Sequence, residues 1–428
     1  MPERDKKNRK ALHNGIILLS HAGDRFEERI SSRLSGSRFE APVLTADETP
    51  EPKKWYRVPL PLGLSGDGSE YHIYLKAGTT DKLVIFLSGG GVAWNEYTAA
   101  RPATSGAVVS WQPNFYWNNL RPFTQLMNIN VGITETDSAR NPFDDWNFVV
   151  VTYSTGDLHV GNSTLEYKLP KEKTEKDAGT GKASRSAEPE PGSGEQDSGR
   201  RRILHFHGHT NFTEAMKVAI RRFPNPSKLL IAGNSAGAFA VPALSGEIAE
   251  AWYPDCEDIT LLSDSGQLLY SKWKHIVRET WNADPAFADP VHSDNITLDW
   301  FRSLCAKHGR RFRYLYASST HDYLLSAYYN DVTKKTYRTD SDVQEAFYGQ
   351  LVSMCAELRE FCPDIHFFIN NWKNVLYTKG GTVHTAVREP YFYIRMNGGP
   401  TMAGWLADAV EGRLYDVGTE LLKPPDSL

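Results

Sequence analysis

Short, almost wholly apolar runs that break off into small and polar residues constrain this chain more than any other feature. Lys82 to Leu87 ends in Ser88-Gly89-Gly90-Gly91, and Asn147 to Tyr153 ends in Ser154-Thr155-Gly156-Asp157. Leu229 to Ala232 ends in Gly233-Asn234-Ser235, and Asp258 to Leu262 ends in Ser263-Asp264-Ser265-Gly266. Phe312 to Ala317 and Asp364 to Asn370 are two further runs, and Tyr71 to Leu75 alternates like a half-buried strand. Runs this short without polar alternation read as strands buried on both faces. Apolar residues at helical spacing lie between them, at Phe212 to Phe223 (capped by Thr210 or Asn211), Ala236 to Trp252 and Asp342 to Phe361. The alternation predicts an α/β fold with a mainly parallel, doubly wound sheet flanked by helices. Ligands bind beyond the carboxyl ends of such strands, so the first four endings converge on one crevice.

The 428 residues, 40% hydrophobic and 23% charged, suffice for one large domain with insertions. A net charge of −4 leaves no basic footprint for nucleic acid. The four cysteines, Cys256, Cys305, Cys355 and Cys362, show no metal-ligand spacing and read as thiols of a reducing compartment. No apolar run has the length of a membrane span, and Ile16 to Leu19 is too short for a signal-peptide core, so a cytoplasmic location is expected. Residues 1–50 read as a peripheral arm with a short amphipathic helix at Phe26 to Leu34, and 51–428 as the domain. Within it, 170–202 is Lys, Glu, Gly, Ser and Pro with alanine as its main apolar residue, the composition of a disordered insertion.

Gly233-Asn234-Ser235-Ala236-Gly237 has the form G-x-S-x-G. The bare pattern is weak, but here it joins a buried strand to an alanine-rich helix, as a nucleophile elbow requires. The sharp turn needs small residues two before and two after the serine, and the helix N-terminus then favours developing negative charge. A tight turn with a structural serine is the bland alternative. Pro242 fits poorly, because a proline inside the helix removes a hydrogen bond.

An oxyanion hole would use the amide of Ala236 and amides of the Gly90–Gly91 loop. Trp94 stands where it would wall the substrate pocket, unless it is packing. His384, in a small-residue loop after the sixth run, is the candidate base, with a loop histidine of no chemical role as its alternative. Asp322, after the fifth run, is preferred as its acid over Asp264, since it gives the order Ser235, Asp322, His384. Asp264, at the end of the fourth run, is then left to line the site or to hydrogen-bond a loop. His205, His207 and His209 would share one face of a strand and are the metal-site alternative; no neighbouring ligand completes the set, so no metal or other cofactor is expected.

Six segments in register make the chain resemble the pectin acetylesterase family, which includes plant pectin acetylesterases and the secreted carboxylesterase Notum. They are Phe86 to Gly91, Ser154 to Gly161, His207 to Asn211, Ala232 to Gly237, Asp264 to Gly266 and Val383 to Thr385, within a match from about Val84 to Trp405. The resemblance implies an α/β-hydrolase-like fold and serine ester hydrolysis. It puts Ser235, Asp322 and His384 in the triad, with oxyanion donors at Gly90, Gly91 and Ala236. His159, inside the second segment, is expected to bind substrate with Trp94 and Asp264. The partner implied is a small-molecule or oligosaccharide O-acyl ester, most simply an O-acetyl ester. The chain lacks the disulfide-forming cysteines of the secreted members, which points away from extracellular pectin. A lipase or thioesterase with a longer acyl pocket and a catalytically silent carbohydrate-binding protein are the competing readings.

Overall fold

The computed structural model describes residues 41–103, 113–120, 125, 127–169, 201–373, 380–388 and 390–423. Most of the N-terminal arm, with the Phe26–Leu34 segment, and nearly all of the 170–202 insertion lie outside the described residues.

Ten strands are described: β1 (Trp55–Leu64), β2 (Glu70–Lys76), β3 (Leu83–Leu87), β4 (Asn147–Val151), β5 (Ser163–Lys168), β6 (Arg201–Phe206), β7 (Leu229–Asn234), β8 (Ile259–Asp264), β9 (Phe312–Ser319) and β10 (Ile365–Asn370). Eight of them form one sheet in the order β1-β2-β4-β3-β7-β8-β9-β10, and β5 pairs with β6 in a separate antiparallel hairpin. From β4 to β10 every neighbouring pair is parallel. β2 runs antiparallel to both β1 and β4. The expected mainly parallel sheet is therefore present.

The main helices are α1 (Gly208–Arg222), α2 (Ala236–Glu247), α3 (Ile296–His308), α4 (Tyr323–Lys334), α5 (Ser341–Phe361) and α6 (Met402–Val410). Alternate residues of the strands in the eight-stranded sheet enter two different cores. Leu83, Ile85 and Ile231 pack with Phe212 of α1, Phe239 of α2, Phe301 of α3 and Leu351 of α5. Val84, Phe86 and Leu230 pack on the other face with Met402, Trp405 and Leu406 of α6. Both faces are covered, which is why the strands carry no polar alternation.

Pro242 lies inside α2, as its sequence position demands. The carbonyl that a proline leaves unpaired is that of residue i−4, here Ala238. Ser263 Oγ donates to it at 2.8 Å, so the sheet supplies the missing bond. The chain then leaves α2 through a π-helical turn, Ile248–Trp252.

Three boundaries differ from the sequence reading. Arg201 and Arg202, assigned there to the insertion, are the first residues of β6 and pair with Lys168 and Tyr167. Residues 41–50, assigned to the arm, are tied to the domain. Leu44 is buried, its amide donates to the Arg57 carbonyl, and the Arg222 guanidinium donates to the carbonyls of Thr45, Ala46 and Glu48. Lastly, α1 begins at Gly208, ahead of Thr210 and Asn211, because the Asp157 carboxylate accepts the Gly208 amide at 2.7 Å.

Candidate active site

β3 has β4 on one side and β7 on the other, so the strand order reverses there and a crevice opens at the carboxyl ends. A cavity of about 490 Å³ occupies this position, lined by Gly89 to Gly91 after β3, by Asn234, Ser235 and Ala236 after β7, and by His384.

Ser235 joins β7 to α2 with φ 53° and ψ −124°, a strained conformation for a residue with a side chain. Its amide donates to the Asp264 carbonyl at 2.9 Å, anchoring the turn on β8. The flanking glycines are sterically required. A Cβ on Gly233 would lie 2.3 Å from the Gly237 carbonyl oxygen, and one on Gly237 would lie 1.9 Å from that of Leu87. The elbow thus presses directly on the end of β3.

The glycine loop after β3 is equally close-fitted. A Cβ on Gly89 would meet the Asn234 oxygen at 2.6 Å, and one on Gly91, whose φ is 78°, would meet the Phe115 oxygen at 2.0 Å. Asn234 Oδ1 accepts the Gly89 amide at 3.1 Å. Among the described residues, the amides of Gly90, Gly91 and Ala236 donate to no protein acceptor. Those three residues are the ones the sequence proposed as donors, and all three line the cavity.

His384 Nδ1 lies 2.7 Å from Asp322 Oδ2. Asp322 is fully buried and caps α4, its other oxygen accepting the amides of Leu324 and Leu325 at 2.9 Å each. A carboxylate at a helix N-terminus is stabilised by these donors and by the helix dipole. Of the two carboxylates weighed in the sequence, Asp322 is the one placed at His384 Nδ1.

Asp264 does something else. Its Oδ2 accepts the amides of Ala386 and Val387 at 2.7 and 2.8 Å, so it holds the loop that carries His384. It is 1% exposed and is not among the cavity-lining residues; burial pushes its carboxyl above the usual range. The other two expected substrate contacts also sit behind the wall. Trp94 is 4% exposed and packs edge-on against Phe115 and beside Tyr270 and Tyr328. His159 is 1% exposed, its Nε2 is 2.9 Å from the Ser88 carbonyl, and burial pushes its pKa down to about 4. None of the three lines the cavity.

The residues that do line it beside Ser235 and His384 went unnoticed in the sequence. Phe239, Leu268, Trp273, Leu325 and Tyr328 make an apolar and aromatic side, while Asn128 and Arg388 make a polar one. Arg388 is 3% exposed; its guanidinium donates to Ser88 Oγ at 3.2 Å and lies over the Phe86 ring. No sequence signal marks it beyond its standing four residues after His384.

The histidine triplet is split by the end of a strand. His205 belongs to β6, His207 precedes α1, and His209 lies within α1, where its Nε2 is 2.9 Å from Glu247 Oε2. Among the described residues, no group of three or more His, Cys, Asp or Glu side chains is placed to hold a metal ion. The four cysteines are buried free thiols, Cys305 and Cys362 facing each other. Among the described residues, no helix is long and apolar enough to cross a membrane.

A scan against protein-family models finds no match for this chain, and a search of curated proteins finds none. The fold is an α/β domain with a large, mostly parallel sheet flanked by helices.

Proposed function

We propose that the protein is a serine ester hydrolase acting on O-acyl esters through an acyl-enzyme on Ser235. One observation carries this reading: a serine held at a strained strand-to-helix turn shares a cavity with a histidine whose far nitrogen is bonded to a buried aspartate. The strand order, with its antiparallel step at β2, agrees with an α/β-hydrolase architecture. So does the chain order Ser235, Asp322, His384.

In this mechanism the Asp322 carboxylate accepts a hydrogen bond from the Nδ1–H of His384, which leaves Nε2 unprotonated as the base. Nε2 takes the Ser235 proton as Oγ attacks the ester carbonyl. The developing oxyanion receives the Ala236 amide, at the start of α2, and amides of Gly90 and Gly91. The imidazolium returns its proton to the departing alcohol. Water then attacks the acyl-enzyme with the same histidine as base. No cofactor enters these steps. By the resemblance to pectin acetylesterases, the simplest substrate is an acetylated saccharide.

The cavity favours a second reading of the acyl group. About 490 Å³ bounded by Phe239, Leu268, Trp273 and Tyr328 exceeds what an acetyl group fills, and suits a longer apolar acyl chain. Hydrolysis of 4-nitrophenyl acetate, butyrate and octanoate by wild type and by Ser235→Ala, both verified as folded by circular dichroism, tests both readings. Loss of several orders of magnitude in the variant supports the nucleophile, and equal rates remove it. Preference for octanoate over acetate selects the longer acyl chain.

A further inference from the structure

Ser88 and Gly89 share one peptide plane, and both ends of that plane are tied. Its carbonyl, on Ser88, lies 2.9 Å from His159 Nε2, and its amide, on Gly89, donates to Asn234 Oδ1 at 3.1 Å. A carbonyl oxygen only accepts, so His159 must carry its proton on Nε2. Ser88 is fixed at three further points: its amide donates to Val151, and its hydroxyl meets Asn128 Oδ1 at 2.7 Å and the Arg388 guanidinium at 3.2 Å. The next amide in the chain is that of Gly90, in the adjoining peptide plane; the plane after it, which carries the Gly91 amide, is held separately by the Trp117 amide, which donates to the Gly90 carbonyl at 2.9 Å.

The segment bearing His159 is itself held under strain. Leu158 and His159 both have left-handed backbones, with φ of 53° and 64°. Two such residues in succession cost of the order of 1–3 kcal/mol each and persist only where their surroundings impose them. Here the Leu158 amide donates to the Tyr153 hydroxyl at 2.8 Å and the His159 amide to Asp157 Oδ1 at 3.2 Å. The imidazole packs at 4.6 Å on the Tyr153 ring. Its pKa near 4 keeps it neutral at ordinary pH. Neither His159 nor Asp157 lines the cavity, so neither reaches a substrate.

We infer that His159 and Asn234 are positioning residues: together they lock the Ser88–Gly89 peptide so that the adjoining Gly90 amide faces the oxyanion formed at Ser235. This rests on the ester-hydrolase reading. A carbonyl released by His159 is free to turn, which rotates the plane and moves the following amide, that of Gly90, off target.

The test uses the full-length chain with 4-nitrophenyl butyrate. His159→Ala is expected to lower kcat by about 10- to 100-fold, the range seen when a supporting partner of an active-site group is removed, with KM little changed. Affinity for an aryl trifluoromethyl ketone, which mimics the tetrahedral adduct, falls in parallel. His159→Gln keeps an N–H near the position of Nε2 and is expected to recover most of both quantities. Asn234→Ala, which releases the other end of the plane, loses kcat in the same sense. A kcat loss in His159→Ala that glutamine does not restore, or one matched by a rise in KM and a lowered melting temperature, would mark a packing role and overturn the inference. Activity lost in Ser235→Ala but intact in His159→Ala also overturns it while leaving the hydrolase reading in place. Equal rates for wild type and Ser235→Ala would instead remove that reading and the inference with it.

Discussion

At the scale of single residues, the site depends on what cannot be added. Gly237→Ala would drive a methyl group into the Leu87 carbonyl, and neither the elbow nor β3 can yield without moving the other. We expect that variant to lose activity and several kcal/mol of stability, the range reserved for backbone clashes in a core. Urea unfolding with an activity assay would check it. Gly349 is the contrasting case: it lies inside α5, exposed, and a Cβ added there would have nothing within 4 Å. Gly349→Ala should therefore stabilise the protein by roughly 0.5–1 kcal/mol with unchanged turnover, since only unfolded-state freedom and helix propensity change. The two glycines of the elbow were legible in the sequence because the motif names them. That Asp264 could hydrogen-bond a loop was also legible, but not that the loop is Ala386 and Val387; nor was the contact of His159 with Ser88, because in both cases the partner is distant in the chain.

Among the elements, α4 shows how one helix serves opposite electrostatic demands. Asp322 caps its N-terminus, where the dipole favours a carboxylate. Asp322→Asn should keep part of the cap yet fail to fix the His384 tautomer, so kcat should drop by orders of magnitude with little change in melting temperature. Asp331 sits in the last turn, where the dipole opposes negative charge. It is 2% exposed, its Oδ1 has no hydrogen-bond partner among the described residues, and it faces Tyr97, Tyr270 and Tyr328, with Arg101 and Lys335 as the nearby cations. Burial lifts its carboxyl from 3.8 to about 6. The folded state then binds this proton more tightly than the unfolded state, so stability from this group falls as pH rises from about 4 through 6. Asp331→Asn should stabilise the protein at pH 7 by at most about 3 kcal/mol and give no gain at pH 4. Melting temperatures at the two pH values decide it; a gain of equal size at pH 4 would refute the account. Strand legibility follows the same local logic. The buried runs at β3, β7, β8 and β9 announce themselves, whereas β1 escapes notice because Pro59 and Pro61 interrupt it, as an edge strand permits. The His205–His209 alternation misleads because the cap that starts α1 comes from Asp157, on a loop far away in sequence.

For the whole molecule, the two ends of the 170–200 segment are neighbours in space. Lys168 and Arg201 pair across β5 and β6, so the segment 170–200 leaves and returns one strand spacing apart. Replacing it with a short glycine-containing turn should preserve turnover and raise stability by about 1–2 kcal/mol from reduced loop-closure entropy. Loss of activity in a folded deletion variant would show that the insertion contributes to the site. The composition of 170–202 did not mark its last two residues as strand, since Arg201 and Arg202 become strand only by pairing with a partner that the local sequence does not show. A final consequence follows from the sheet order. Ser235 and the glycine loop at 89–91 meet once β7 joins β3, but Asp322 and His384 come after β9 and β10. On the ribosome, the chain therefore carries its serine for about 150 residues of synthesis before a base exists to activate it. On the ester-hydrolase reading, it is inert toward the esters around it until His384 has emerged and β10 has joined the sheet.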